Sequence, residues 1–363
     1  MTALQTVDDV TTSVRNGVGR IVLARPRAMN ALNHAMVARV HGALEAWRDD
    51  DDVHVVVIDG EGDRGLCAGG DIKMFHRSAS ADGSEATAFF RAEYRMNLAI
   101  ARYPKPVVAL MFGAVLGGGV GLSSHARHRL VEPGAVVGMP EVGIGFFPDV
   151  GGTWLLARAP RNTGLYAALT GLPLAAADAV RCRLADAVVP MSVLEDVRAA
   201  EDDGAVLAIV AESTGGGSGA APSGVLAGRE HWIEECFSAP TVQQILSRLG
   251  QVAGADAADA AETADVIATR SPEAVVLTLL AVRRARSLPS LETALDLEFA
   301  LATESLRRPD FVEGIRAQVI DKDRNPRWRP ASFDEVDASA LAAWIDSRAG
   351  APVPGAPSLE DEH

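Results

Sequence analysis

The sequence predicts an α/β layered core of about 200 residues followed by a helical region. Three observations carry that reading. Two unbroken apolar runs, "VHVVVIDG" (53–60) and "KPVVALMFG" (105–113), read as strands covered on both faces. Strand-like and helix-like stretches alternate through the first two thirds of the 363 residues. The last third lacks strand patterns and is set off by "STGGGSGAAPSG" (213–224), a flexible linker by composition. The expected organisation is therefore a core over 1–212, a linker over 213–224 and a helical region over 225–349. A Pro-rich, acidic tail over 350–363 is expected to be disordered.

The elements follow in order. "VRNGVGRIVLAR" (14–25) reads as a hairpin, because Asn-Gly supplies the positive φ that both central turn positions need. Asn30 or Asn33 can cap a helix whose apolar positions are Met36, Val37, Val40, Leu44 and Trp47. After the 53–60 strand comes a loop, "EGDRGLCAGGD", and Ser84 to Arg102 then reads as a helix. The 105–113 strand runs into "AVLGGGVGLSSHA", a glycine turn that opens a short helix. "RHRLVE" and "AVVGM" are short strands, and "LADAVVP" (184–190) is a late one. Beyond it the pattern is helical, with Ser271 as a cap and Pro272 in the first turn of one long helix.

Composition narrows the function. A hydrophobic content of 48% allows a large core, and no apolar run reaches the roughly 20 residues that span a bilayer. A net charge of −14 disfavours nucleic acid as a partner. The first ten residues lack the basic or apolar character of a targeting segment. Cys67, Cys182 and Cys236 are scattered and odd in number, which reads as reduced thiols, and a cytoplasmic location is expected. There is no GxSxG, no GxxxxGK[ST] and no HExxH, and the glycines at 117, 118, 119 and 121 do not spell GxGxxG.

What remains is glycine and carboxylate. "CAGGD" (67–71) and "LGGGVG" (116–121) each follow a buried strand. Backbone N–H groups freed at such turns can converge on a developing oxyanion, or the glycines can simply allow close backbone packing. "MPEVGIGFFPDVGG" (139–152) holds two acids, Glu141 and Asp149, with no basic residue to pair with them. Burial without partners would raise the pKa of Glu141. Asp149 stands where an N-cap would precede the helix "GGTWLLARA". Glu93 shares a helix face with Phe89, Met96 and Ile100, an acid where an apolar residue is expected, so it is a site group or half of an internal ion pair.

"LCAGGDIK", "KPVVALMFGAVLGGGVGLSSHA" and "MPEVGIGFFPDVGGTWLLAR" together resemble the crotonase (enoyl-CoA hydratase/isomerase) superfamily. "FFRAEYRMN", "PEVGIGFFPDVGG" and "GIRAQVIDKDRNPRWRP" are similar to its 3-hydroxyisobutyryl-CoA hydrolase branch. The resemblance spans roughly residues 15 to 332. It implies a crotonase (ClpP/crotonase-like) fold, with stacked ββα turns forming two sheets and a helical C-terminal region. It also implies an acyl-CoA thioester substrate, hydrolysed to 3-hydroxyisobutyrate and CoA in valine catabolism. No metal or redox cofactor is implied, since CoA belongs to the substrate. Relatives are often trimers or trimer pairs, so a homo-oligomer is an expectation, which the long C-terminal region could change.

The implied roles fall on named residues. The amides of Gly70 and Gly118 would bind the thioester carbonyl. Glu141 would be nucleophile or general base. Asp149 would hold the 3-hydroxyl or orient Glu141, and Glu93 would close the site. Gly145, Phe146, Phe147 and Pro148 would wall it. Family hydratases place a first catalytic glutamate at what is Gly121 here, and its absence argues against simple hydration. The alternatives are an enoyl-CoA hydratase or isomerase, or a non-catalytic acyl-CoA-binding protein. Lys322, Arg324 and Arg327 would face the CoA phosphates or form a solvated basic loop.

Overall fold

A six-stranded sheet carries the core, in the order β1-β2-β3-β4-β6-β9. The structure, a computed structural model, describes residues 9–215 and 224–349. The strands of this sheet are β1 (Val10–Arg15), β2 (Gly17–Leu23), β3 (Val53–Gly60), β4 (Val107–Met111), β6 (His128–Val131) and β9 (Ala187–Val188). The β1–β2 pair is antiparallel and every other pair is parallel. A second sheet has the order β5-β7-β8, from Ala114–Leu116, Val136–Gly138 and Leu174–Ala175.

The hairpin turns where Asn-Gly requires: Asn16 has φ 48° and Gly17 φ 82°. Seven of the eight residues of β3 and all five of β4 are buried, as strands covered on both faces must be. Asn33, not Asn30, caps the helix His34–Arg48 by accepting the Met36 N–H at 2.9 Å. Asn30 is buried instead, where its amide nitrogen donates to the carbonyls of Glu61 and Gly65.

Three elements escape the sequence patterns, one of them β5, which reads as part of the glycine turn. The helix Ile72–Ala79 lies in what reads as connecting chain. It buries only Met74, Phe75 and Ser78, too little to show a period. Strand β8 has two residues and exists only because Val136 and Val137 offer it an edge. The helix Asp203–Gly215 takes in residues 213–215, the first three positions of the expected linker. Residues 216–223 and the 350–363 tail lie outside the described residues. The C-terminal helices, among them Pro272–Ala285 and Leu291–Ser305, pack back onto the core and bury long apolar faces against it.

The two glycine turns are pressed together. Cys67 N–H donates to the Ala114 carbonyl at 3.1 Å, and Leu116 N–H donates to the Cys67 carbonyl at 3.0 Å. A Cβ on Gly119 would stand 2.2 Å from that same Cys67 oxygen. Gly119→Ala is therefore expected to destabilise by about 1–3 kcal/mol, the usual cost of overpacking. Gly42→Ala is the control, since a Cβ there meets nothing within 4 Å. Urea unfolding should show a lower midpoint for Gly119→Ala and none for Gly42→Ala; equal midpoints would refute the packing argument.

Candidate active site

The glycine turns and three acids surround one cavity of about 220 Å³. Gly70, Gly118, Glu93, Glu141 and Asp149 all line it. Each arrives on a different element. Glu93 comes from the helix Ser84–Ala101, and Glu141 opens the 3-10 turn Glu141–Ile144 after Pro140. Asp149 lies in the turn before the helix Gly152–Ala157, and Gly118 begins the helix Gly118–Ser123.

The two amides are left free by the local pairing. Leu32 N–H donates to the Gly69 carbonyl and Asp71 N–H donates to the Leu32 carbonyl, both within 2.9 Å. In such a parallel bridge the N–H of the intervening Gly70 faces the other way. Gly118 is the first helical residue, so its N–H has no carbonyl four residues back. Side chains would close the gap. A Cβ on Gly118 would meet Glu93 Oε1 at 2.5 Å, and one on Gly117 would meet Glu141 Oε1 at 2.6 Å. Both carboxylates thus lie directly against the second glycine turn.

All three acids are buried: Glu93 is 2% exposed, Glu141 8% and Asp149 6%. Glu93 Oε1 and Glu141 Oε2 have no hydrogen-bond partner among the described residues. Burial, and next the charge of Asp149, push the Glu93 carboxyl well above the usual range. Neither cause is a cation, which removes the ion-pair reading of Glu93. Burial also pushes Glu141 well up, followed by the charges of Asp149, Glu93 and Glu298. Asp149 is pushed up to about 7 by burial, against the pull of a hydrogen bond from Tyr94.

That hydrogen bond corrects the capping reading of Asp149. Tyr94 O–H donates to Asp149 Oδ2 at 2.7 Å. The helix after Asp149 is served from elsewhere. Glu298, from the helix Leu291–Ser305, accepts the N–H groups of Gly151 at 2.6 Å and Thr153 at 2.9 Å. Neither Tyr94 nor Glu298 is visible as a site residue in local motifs. Glu298 carries the same signal as Glu93, an acid on an apolar face with Leu291, Ala294, Leu295 and Ala302.

The walls also differ from expectation. Of the residues 145–148, only Phe146 lines the cavity. Gly145 packs against the Asp310 backbone, and Phe147 is buried behind Phe146 with ring centroids 4.7 Å apart. Phe75 and Phe90 supply apolar wall from the core, Phe311 and Val319 from the C-terminal region. Lys322, Arg324 and Arg327 are exposed just beyond Val319, where Arg316 gathers Glu313, Asp321 and Asp323. At Gly121 a Cβ would stand 2.7 Å from Val150 Cβ and 2.9 Å from Asn97 Nδ2. No glutamate side chain can leave the backbone there without displacing both.

Comparison with known proteins agrees with this geometry. The family model for enoyl-CoA hydratase/isomerase matches residues 18–345. The chain belongs to the enoyl-CoA hydratase/isomerase family. Within the family, the mitochondrial 3-hydroxyisobutyryl-CoA hydrolase of Rattus norvegicus is 37% identical over 92% of this chain and 87% of its own. The Homo sapiens protein of the same name is 35% identical over the same shares. A solved structure described as a carnitinyl-CoA dehydratase from Mycobacterium thermoresistibile is 46% identical. It superposes with a TM-score of 0.89, covering 98% of this chain and all of the other. One described as an enoyl-CoA hydratase from Rhodobacter sphaeroides is 40% identical, with a TM-score of 0.85 over 97% of this chain and all of the other. These neighbours establish the crotonase fold for the family member described here.

The electrostatics set a pH dependence. A carboxylate that must be ionised loses activity as pH falls through its raised pKa, so the acidic limb of kcat should lie above about 4.3, the free glutamate value. Glu93→Gln removes one negative neighbour and should move that limb to lower pH. Activity retained with an unmoved limb would place Glu93 outside the site.

Proposed function

We propose that this chain hydrolyses a short branched 3-hydroxyacyl-CoA thioester, 3-hydroxyisobutyryl-CoA, to 3-hydroxyisobutyrate and CoA. The observation that carries this is the cavity itself, lined by Gly70, by Gly118 and by a Glu141 whose Oε2 has no hydrogen-bond partner among the described residues. The curated relatives named for this reaction support it.

The thioester carbonyl oxygen would lie between the Gly70 and Gly118 amides, which stabilise the charge that develops on it. Glu141 would then act in one of two ways. Its carboxylate attacks the carbonyl carbon, the C–S bond breaks with CoA leaving as thiolate, and water opens the resulting anhydride. Alternatively it takes a proton from water as the water attacks the same carbon, and the C–S bond then breaks with CoA leaving as thiolate. Trapping of an anhydride by hydroxylamine distinguishes them. Asp149 would meet the 3-hydroxyl with Oδ1 while Tyr94 holds Oδ2. Water is the only co-substrate, and CoA enters as part of the substrate.

Dehydration or hydration is the second reading, favoured by the descriptions of the two solved neighbours. Against it stands the packing at Gly121, which leaves no room for a second acid. Phe311 and Val319 bring the C-terminal region into the lining of the cavity. The curated relatives are named as mitochondrial, so they lend no support to a cytoplasmic location. The three buried free thiols fit any reducing compartment. Among the described residues no helix is long and apolar enough to cross a membrane.

Two outcomes test the reading. Glu141→Gln should lower CoA release from 3-hydroxyisobutyryl-CoA by roughly 100-fold or more while binding of CoA changes little. Near-normal turnover by the folded variant, or enoyl-CoA formation outpacing thiol release in the parent protein, would sink it. The second outcome concerns the hydroxyl. The parent protein should prefer 3-hydroxyisobutyryl-CoA over isobutyryl-CoA, because a missing hydroxyl leaves a buried acceptor unpaired at about 1–3 kcal/mol. Asp149→Ala should flatten that preference in kcat/KM, and an intact preference would free Asp149 of this role.

A further inference from the structure

The turn that presents Asp149 is strained and is held from behind. Val150 has φ 53°, in the left-handed region where a β-branched residue is a true outlier. Such a conformation persists only when its surroundings over-determine it. Here His125 Nε2 lies 2.8 Å from the Val150 carbonyl. A ring nitrogen facing a carbonyl must carry the proton, so His125 donates there. On the other side of Val150, Glu298 receives the Gly151 and Thr153 N–H groups and the Thr153 hydroxyl. Glu298 is fully buried on the helix Leu291–Ser305, about 150 positions from the turn it grips.

The same helix supports Asp149 a second time. Phe299, next to Glu298, stands edge-on to the Tyr94 ring, with centroids 6.4 Å apart and planes at 83°. Tyr94 is the residue that hydrogen-bonds Asp149 Oδ2. One helical turn of the C-terminal region therefore fixes both the backbone behind Asp149 and the side chain beside it.

We propose that Glu298 is the positioning residue for Asp149: by clamping the 149–153 turn it aims the Asp149 carboxylate into the cavity, and the hydroxyl selectivity of the site depends on it. This rests on the reading of Asp149 as the group that meets the 3-hydroxyl. Glu298 touches no reacting atom and acts through the turn. A glutamine at 298 keeps one acceptor oxygen and turns an NH₂ toward a backbone N–H, so one strut of the clamp is lost. An aspartate keeps both oxygens and falls short by one methylene.

The test is the ratio of kcat/KM for 3-hydroxyisobutyryl-CoA to that for isobutyryl-CoA, measured on one preparation of each protein. The ratio does not depend on the folded fraction, so a destabilised variant still reports. Glu298→Gln should lower the ratio on the order of tenfold, as expected for a misplaced binding group. Turnover of isobutyryl-CoA should fall far less. Glu298→Asp should behave alike and serves if the glutamine variant does not accumulate. A parent-like ratio in either variant overturns the proposal and leaves Glu298 as a helix cap that lowers thermal stability only. Asp149→Ala is run alongside. If it loses the preference while the Glu298 variants keep it, the clamp alone fails. If it keeps the preference, the Asp149 reading fails and the clamp with it.

Discussion

The arrangement rests on the approach of two backbone turns with no side chain between them. The carbonyl of Cys67 accepts from Leu116, and Gly119 comes so near it that a single methyl would collide. Strands β3 and β4 end side by side in the same parallel sheet, so the chains that leave them must pass each other closely. Glycine at 69, 117 and 119 lets them do so. The contact then brings the Gly70 and Gly118 amides to one cavity, and it leaves room above Gly117 and Gly118 for the Glu141 and Glu93 carboxylates. A core built for packing and a site built for a carbonyl are here the same set of atoms.

Around that contact the protein concentrates negative charge in an apolar place. Four carboxyl groups, those of Glu93, Glu141, Asp149 and Glu298, are buried near one another. Burying an ionised carboxylate is expensive, and the ordinary response is protonation. Burial pushes all four upward, with Asp149 reaching about 7 and Glu298 about 8. Glu298 lowers its cost by taking three donors, and Asp149 takes the Tyr94 hydroxyl. Glu93 Oε1 and Glu141 Oε2 take none among the described residues. Glu298, with three donors, does structural work, while Glu93, Glu141 and the half-satisfied Asp149 line the cavity where chemistry is proposed.

The C-terminal region joins the two halves of this picture. Phe311 and Val319 close the cavity, and Glu298 and Phe299 hold the turn and the tyrosine that set Asp149. The short π-helical turn Arg316–Ile320 carries Val319 to its place, braced by the Arg316 pairs. A region that sequence pattern alone describes as added helices is thus part of the site, and its loss would open an apolar cavity holding buried acids.

The sequence by itself determined the strands of the main sheet, the Asn16-Gly17 turn and the start of the first helix to within Asn30 or Asn33, because each depends on local chemistry or on a run of apolar residues. It also determined which glycines and acids to suspect, because an acid on an apolar face or in an apolar turn is anomalous wherever it occurs. The family resemblance was legible in ordered motifs, and the match over residues 18–345 agrees with it. Only the tertiary structure decided what those acids do to one another. The Tyr94 bond to Asp149 and the Glu298 grip on Gly151 join residues 55 and 147 positions apart, and no local pattern encodes such pairs. It decided that the Asp149 side chain does not cap the helix Gly152–Ala157, because the Glu298 carboxylate fills that place. It decided as well that Gly121 must be glycine, since Val150 and Asn97 occupy the space above it only once the helix and the strained turn have met.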